Sequence, residues 1–187
     1  MQRYYFDFYI KNKRESVKYA NSILSGIHHH LRSKALDNIG LSFPEYGKTT
    51  LDGLPLVGNI IRLVSTSEVA LFSVRGGEWF ASDILNGDCA VSKIMPVPEG
   101  VPEVCFIRSR KPEGIARRMR ELFPGQRITP YSVNKADPTP LAMIKVFTIE
   151  KPLHMFVAFE HAQARADGKF NSYGLATQDN QLTVPWF

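Results

Sequence analysis

The feature that most constrains this chain is a change of hydrophobic period near its start. Residues Tyr4 to Ile10 (YYFDFYI) are aromatic and branched, the composition of a strand. From Glu15 the pattern turns helical: Val17, Ala20, Leu24, Ile27 and Leu31 recur at steps of three and four and form one apolar stripe. Ile39 to Phe43 reads as a second strand ended by Pro44, and Tyr46 to Gly58, rich in Gly, Thr and Pro, as a loop. Asn59 to Val64 reads as a third strand, Ser65-Thr66-Ser67-Glu68 as a capped helix start, and Val91 to Val97 as a fourth strand. The order β-α-β-β-α-β over residues 1–98 predicts a ferredoxin-like, RRM-like domain. Many activities use that fold, so it decides little about function by itself.

The segment Pro96 to Pro102 (PVPEGVP) reads as a linker. It opens a second α/β domain, residues 99–187, which makes the whole an α+β protein. Val104 to Arg110 reads as a strand with Arg108 and Arg110 on one face. A helix follows, with Pro112 and Glu113 in its first turn and Pro124-Gly125 as its stop. Its expected buried stripe is Ile115, Met119, Leu122 and Phe123, which leaves Arg117, Arg118 and Arg120 on the surface. Later strands are expected at Met143 to Glu150, His154 to Glu160 and Lys169 to Leu175, with a short one at the end.

Charge is distributed unevenly. The 13 residues from Arg108 to Arg120 hold six basic side chains (Arg108, Arg110, Lys111, Arg117, Arg118, Arg120) against Glu113, a surplus equal to the net +5 of the whole chain. A concentrated basic block on a neutral body points to a polyanion, of which a phosphate backbone is the commonest. No apolar run approaches the ~18 residues of a membrane span, and the first residues do not form a signal core, so a cytoplasmic protein is expected. The two cysteines, Cys89 and Cys105, lack a CxxC partner and read as small core residues. There is no GxGxxG and no GxxxxGKS to suggest a cofactor enzyme.

His28-His29-His30 is the one cluster with chemistry in it. Neighbours on a helix diverge by about 100°, so the three cannot share a metal, and no metal or cofactor is expected. By the same geometry His28 lies roughly 60° from the stripe, His30 roughly 100° to the other side and His29 almost opposite it. His28 therefore sits at the boundary of the core, placed for general acid or base work near neutral pH. A structural or surface histidine is the alternative reading.

Ser172-Tyr173-Gly174-Leu175, then a polar turn, then Val184-Pro185-Trp186-Phe187, resembles the terminal signature of the type I-F CRISPR repeat-processing endoribonucleases. Gly26-Ile27-His28 to Leu31 with Asn38 to Pro44 is similar to that family's histidine helix and following strand. Phe106 to Arg110 with Gly114 to Arg120 resembles its base-reading strand and arginine-rich helix. The likeness spans the chain, though the middle, Lys48 to Met95, matches mainly in pattern.

The resemblance implies a metal-independent enzyme that grips a hairpin in CRISPR repeat RNA and cuts at the 3′ base of the stem. The 2′-hydroxyl attacks the phosphate, giving a 2′,3′-cyclic phosphate and a 5′-hydroxyl. It assigns catalysis to His28, Tyr173 and Thr148, the last where the family commonly carries serine. It assigns base reading to Arg108 and Arg110, and bracing of the stem to Lys111, Arg117, Arg118 and Arg120. Met155 stands where the family stacks an aromatic on the closing pair, and Glu150 where it carries a small hydroxyl. The implied partners are the repeat hairpin, the mature guide RNA and other subunits of a type I-F effector complex. The alternative is a module that grips the hairpin without cutting it; a ferredoxin-like metabolic enzyme is a third reading.

Overall fold

The computed structural model describes residues 1–50, 53–147 and 152–187. Strand β1 (Tyr4–Ile10) is followed by helix α1 (Ser16–Ser33) and strands β2 (Ile39–Ser42) and β3 (Ile60–Ser65). Helices α2 (Glu68–Arg75) and α3 (Ala81–Leu85) then lead to β4 (Cys89–Val91) and β5 (Met95–Pro96). The antiparallel order is β2-β3-β1-β4, with β5 also paired to β1. Two interleaved β-α-β units produce this order, each laying one strand between the two of the other. The fourth expected strand breaks at Ser92, whose hydroxyl oxygen accepts the Asp7 amide hydrogen and so replaces a rung of the ladder. At the start of α2 the Ser67 side chain accepts from the Ala70 amide, the cap that the sequence signals.

The second half forms strand β6 (Glu103–Ser109), helices α4 (Lys111–Leu122) and α5 (Pro130–Ala136), and strands β7 (Ala142–Phe147), β8 (Pro152–Ala162) and β9 (Val184–Pro185). This sheet is antiparallel in the order β7-β8-β6-β9. Helix α5 was not expected, although Thr129 caps it through a reciprocal pair with Ser132 and Pro130 opens its first turn.

One cluster of buried side chains draws on both sheets, from Phe6, Phe8 and Leu63 to Phe106, Ile144 and Val157. Helix α1 ties them together. Its Asn21 side chain accepts from the Lys145 amide at 2.8 Å and its Ser25 hydroxyl from the Phe147 amide at 2.8 Å, so polar side chains of the helix close the free edge of β7. On the far face of the first sheet Arg62 forms a two-bond ion pair with Asp7, directly opposite it in register, at 2.7 and 2.9 Å. The Phe187 ring lies 3.8 Å from the Arg62 guanidinium, which docks the Val184–Phe187 segment there. Among the described residues no helix is long and apolar enough to cross a membrane.

Three expectations about packing are corrected. Val17 is 48% exposed, and Ile23 takes its place in the core. Met119, Leu122 and Phe123 are exposed, and α4 buries Pro112 and Ala116 instead, because only its first turns rest on the body of the protein. Residues 169–175 form no strand. Asn171 folds them into a turn, its side-chain oxygen accepting from the Tyr173 and Leu175 amides.

Candidate active site

The apolar stripe of α1 buries Ile23, Leu24, Ile27 and Leu31, and His28 rides at its edge. His28 is 4% exposed, His30 is half-buried and His29 is exposed, the ranking the helix geometry predicts. His30 turns away to Ser73 on α2, its Nε2 2.9 Å from the hydroxyl.

His28 meets the turn after β8. Gly174 has φ +69°, and its carbonyl accepts from the Leu41 amide at 2.7 Å, which seats the turn against β2. A Cβ there would come within 2.8 Å of Leu41 Cγ, so only glycine lets the two segments approach this closely. With Asn171 holding the Tyr173 amide, the Ser172 carbonyl is left facing α1, 2.9 Å from His28 Nδ1. A carbonyl can only accept, so Nδ1 carries the hydrogen and a neutral ring keeps its lone pair on Nε2. Burial is the main influence holding His28 below the ordinary histidine value; the Ser172 bond opposes it, and the positive neighbours His29, Arg32 and Arg108 add to it. The ring is therefore neutral at neutral pH, with its lone pair on Nε2.

Tyr173 stacks flat on this imidazole, and the Arg108 guanidinium lies 5.2 Å from the Tyr173 ring centre. Arg108 projects from β6, whose end is bound to the same returning segment through Arg108 N–H to Ala176 O at 3.0 Å. Its Nε is buried and has no hydrogen-bond partner among the described residues. Arg110 is not on the strand: it caps α4, so the alternation that would set it beside Arg108 ends at Ser109. Both still line one cleft of about 670 Å³, together with Lys111, Asn171, Tyr173, Gln178 and Asp179. Lys111 also pairs with Asp137 at 2.9 Å. Arg117, Arg118 and Arg120 are exposed along α4 beyond the cleft.

One residue of the expected site differs. Met155 is fully buried, facing the core beside Ile144, so it offers no surface on which a base can stack. Thr148 and Glu150 lie outside the described residues. The polar turn expected after Leu175 is present at 177–180. The Ser172 carbonyl was missed: Asn171 followed by Gly174 carried the turn signal that gives it away, and the expected strand obscured it.

The family model described as "CRISPR-associated protein (Cas_Csy4)" matches residues 5–187. The chain belongs to that family. The Cas_Csy4 family comprises CRISPR repeat-processing endoribonucleases, so the resemblance read from the two ends of the sequence extends through its middle. RNA binding and RNA processing in a CRISPR system follow from membership. A solved structure titled "An RAMP protein binding different RNA substrates" is similar at 11% identity and a TM-score of 0.38, covering 100% of each chain, a likeness too slight to carry an argument.

Proposed function

We propose that this Cas_Csy4 member cuts CRISPR repeat RNA at the 3′ base of a hairpin without a metal ion. The observation that carries the reading is the hydrogen bond from His28 Nδ1 to the Ser172 carbonyl, which puts the lone pair of the neutral ring on Nε2. Nε2 takes the proton of the 2′-hydroxyl beside the scissile phosphate. The 2′-oxygen attacks phosphorus, the bond to O5′ breaks, and O5′ leaves with a proton from water. The products are a 2′,3′-cyclic phosphate and a 5′-hydroxyl.

The other residues take supporting roles. Tyr173 holds the imidazole plane, and Arg108 offsets charge that builds on the phosphate. Thr148 is retained as the hydroxyl that constrains the ribose. Arg108 and Arg110 read base edges below the stem, since arginine bidentate to guanine is the most frequent such contact. Lys111, Arg117, Arg118 and Arg120 brace stem phosphates, because an A-form major groove is too narrow for side chains to read. In this reading a ferredoxin-like unit, residues 1–98, supplies the base and residues 99–187 supply the grip. The contacts to the stem survive the cut, so the protein stays on its guide RNA as a subunit of an effector complex.

Incubating the protein with labelled repeat RNA, with and without chelator, tests the proposal. One cut at the 3′ stem base despite chelation, with a cyclic phosphate end, is the expected result. A gel shift without cleavage would leave a hairpin-binding module.

A further inference from the structure

Net charge conceals a second basic surface. Lys11, Lys13, Arg14 and Lys18 stand against Glu15 alone in the eight residues 11–18, far in sequence from the arginine block. The fold brings Lys145 to the same place. Where α1 crosses the edge of β7, a groove of about 490 Å³ is lined by Arg14, Glu15, Val17, Lys18, Asn21, Lys145 and Phe147. Glu15 is occupied by Lys18 at 3.1 Å. Phe147 is 49% exposed, and the Lys145 ammonium lies 5.0 Å from its ring centre. An accessible aromatic face among cations is the pairing that holds unstacked bases and their phosphates.

The groove runs toward the base. Asn21 and His28 are seven residues apart, so they lie about 20° apart around the helix and about 10 Å apart along it. Phe147 is anchored between those levels by its bond to Ser25. A strand passing His28 along the α1–β7 seam therefore reaches Phe147 first and then Lys145 and Lys18.

We infer that this groove binds the single-stranded RNA on the 3′ side of the cut, the segment that leaves as product. The inference rests on the cleavage reading above. It gives the protein a contact with the leaving strand that is separate from its grip on the stem, so uncut repeat is held more tightly than the finished guide.

The test uses two RNAs that carry a 2′-deoxy nucleotide before the scissile phosphate and cannot be cut. One ends at the stem base and the other continues into a single-stranded 3′ tail. The wild type is expected to bind the tailed RNA at least about fivefold more tightly, the lower end of what stacking a base on an aromatic contributes. Its salt dependence is steeper by about 0.7 per phosphate held. Phe147→Ala and the double variant Lys18→Gln/Lys145→Gln each lose most of that tail gain and keep the affinity for the stem-only RNA, with melting temperatures checked in parallel. A tail gain absent from the wild type, or equal in all three proteins, overturns the inference and leaves the groove to a protein partner. Failure of the wild type to bind the stem-only RNA overturns the hairpin reading itself.

Discussion

The imidazole of His28 and the ring of Tyr173 lie face to face, their centres 4.1 Å apart and their planes 9° from parallel. The phenol thus acts on the histidine through its face, and the Ser172 carbonyl acts through the ring edge. Together they fix both the tilt and the tautomer of the imidazole, which neither contact does alone.

Loss of the proposed base should slow cutting severely. His28→Ala is expected to slow cleavage by about 10²- to 10⁴-fold under single-turnover saturation. His29→Ala should match the wild type, since that side chain is exposed. A dead His29 variant beside an active His28 variant would move the chemistry to the other side of the helix.

Tyr173→Phe should retain most activity, because the stacked face remains and only the hydroxyl goes. Tyr173→Ala removes the face and should slow cleavage much further, with hairpin affinity nearly unchanged. Rate constants for the two variants at saturating protein decide it: equal losses would assign the effect to the hydroxyl.

The pH dependence follows from burial. His28 and His30 are both held below the ordinary 6.5, in each case chiefly by desolvation. The unfolded chain therefore takes up protons that the folded one refuses, so the contribution to stability is full above 6.5 and is lost as pH falls through the lower folded values. Melting temperature should drop between about pH 7.5 and about pH 5.5, and drop less in His28→Gln. The cleavage rate should rise with pH to a plateau whose midpoint is below 6.5.

Replacing Arg117, Arg118 and Arg120 together by Gln should leave the fold intact, since all three are exposed and the buried residues of α4 are Pro112 and Ala116. Hairpin affinity should fall steeply. The slope of log K against log salt should flatten by about 0.7 to 0.9 for each phosphate that the variant no longer neutralises. An unchanged slope would turn that helix toward a protein partner.

Gly174→Ala tests the turn that carries the Ser172 carbonyl. The left-handed backbone alone costs a non-glycine residue about 1–2 kcal/mol, and the added carbon collides with Leu41. The variant should melt lower and cleave poorly while α4 still binds the stem. Calorimetry together with the cleavage rate measures both effects, and normal cleavage would show that the turn does not position His28.

By itself the sequence determined the parts that depend on local periodicity. The bounds of β1 at Tyr4 and Ile10, the stripe of α1 and the ranking of the three histidines follow from apolar spacing, because a strand or helix presents its faces at fixed angles. The position of the arginine helix was legible from its proline, its glutamate and its stop. Its buried face was not, since periodicity tells which residues share a side but not how much of a helix the rest of the protein covers; Leu122 is 72% exposed. The tertiary structure alone decided what His28 touches. Ser172 is 144 residues away, and its carbonyl is available only because Asn171 and Gly174 turn the chain against β2. The same is true of the α1–β7 groove: Lys18 and Lys145 come together because Asn21 and Ser25 close a sheet edge, a contact between distant backbone and side-chain groups that no pattern along the chain encodes.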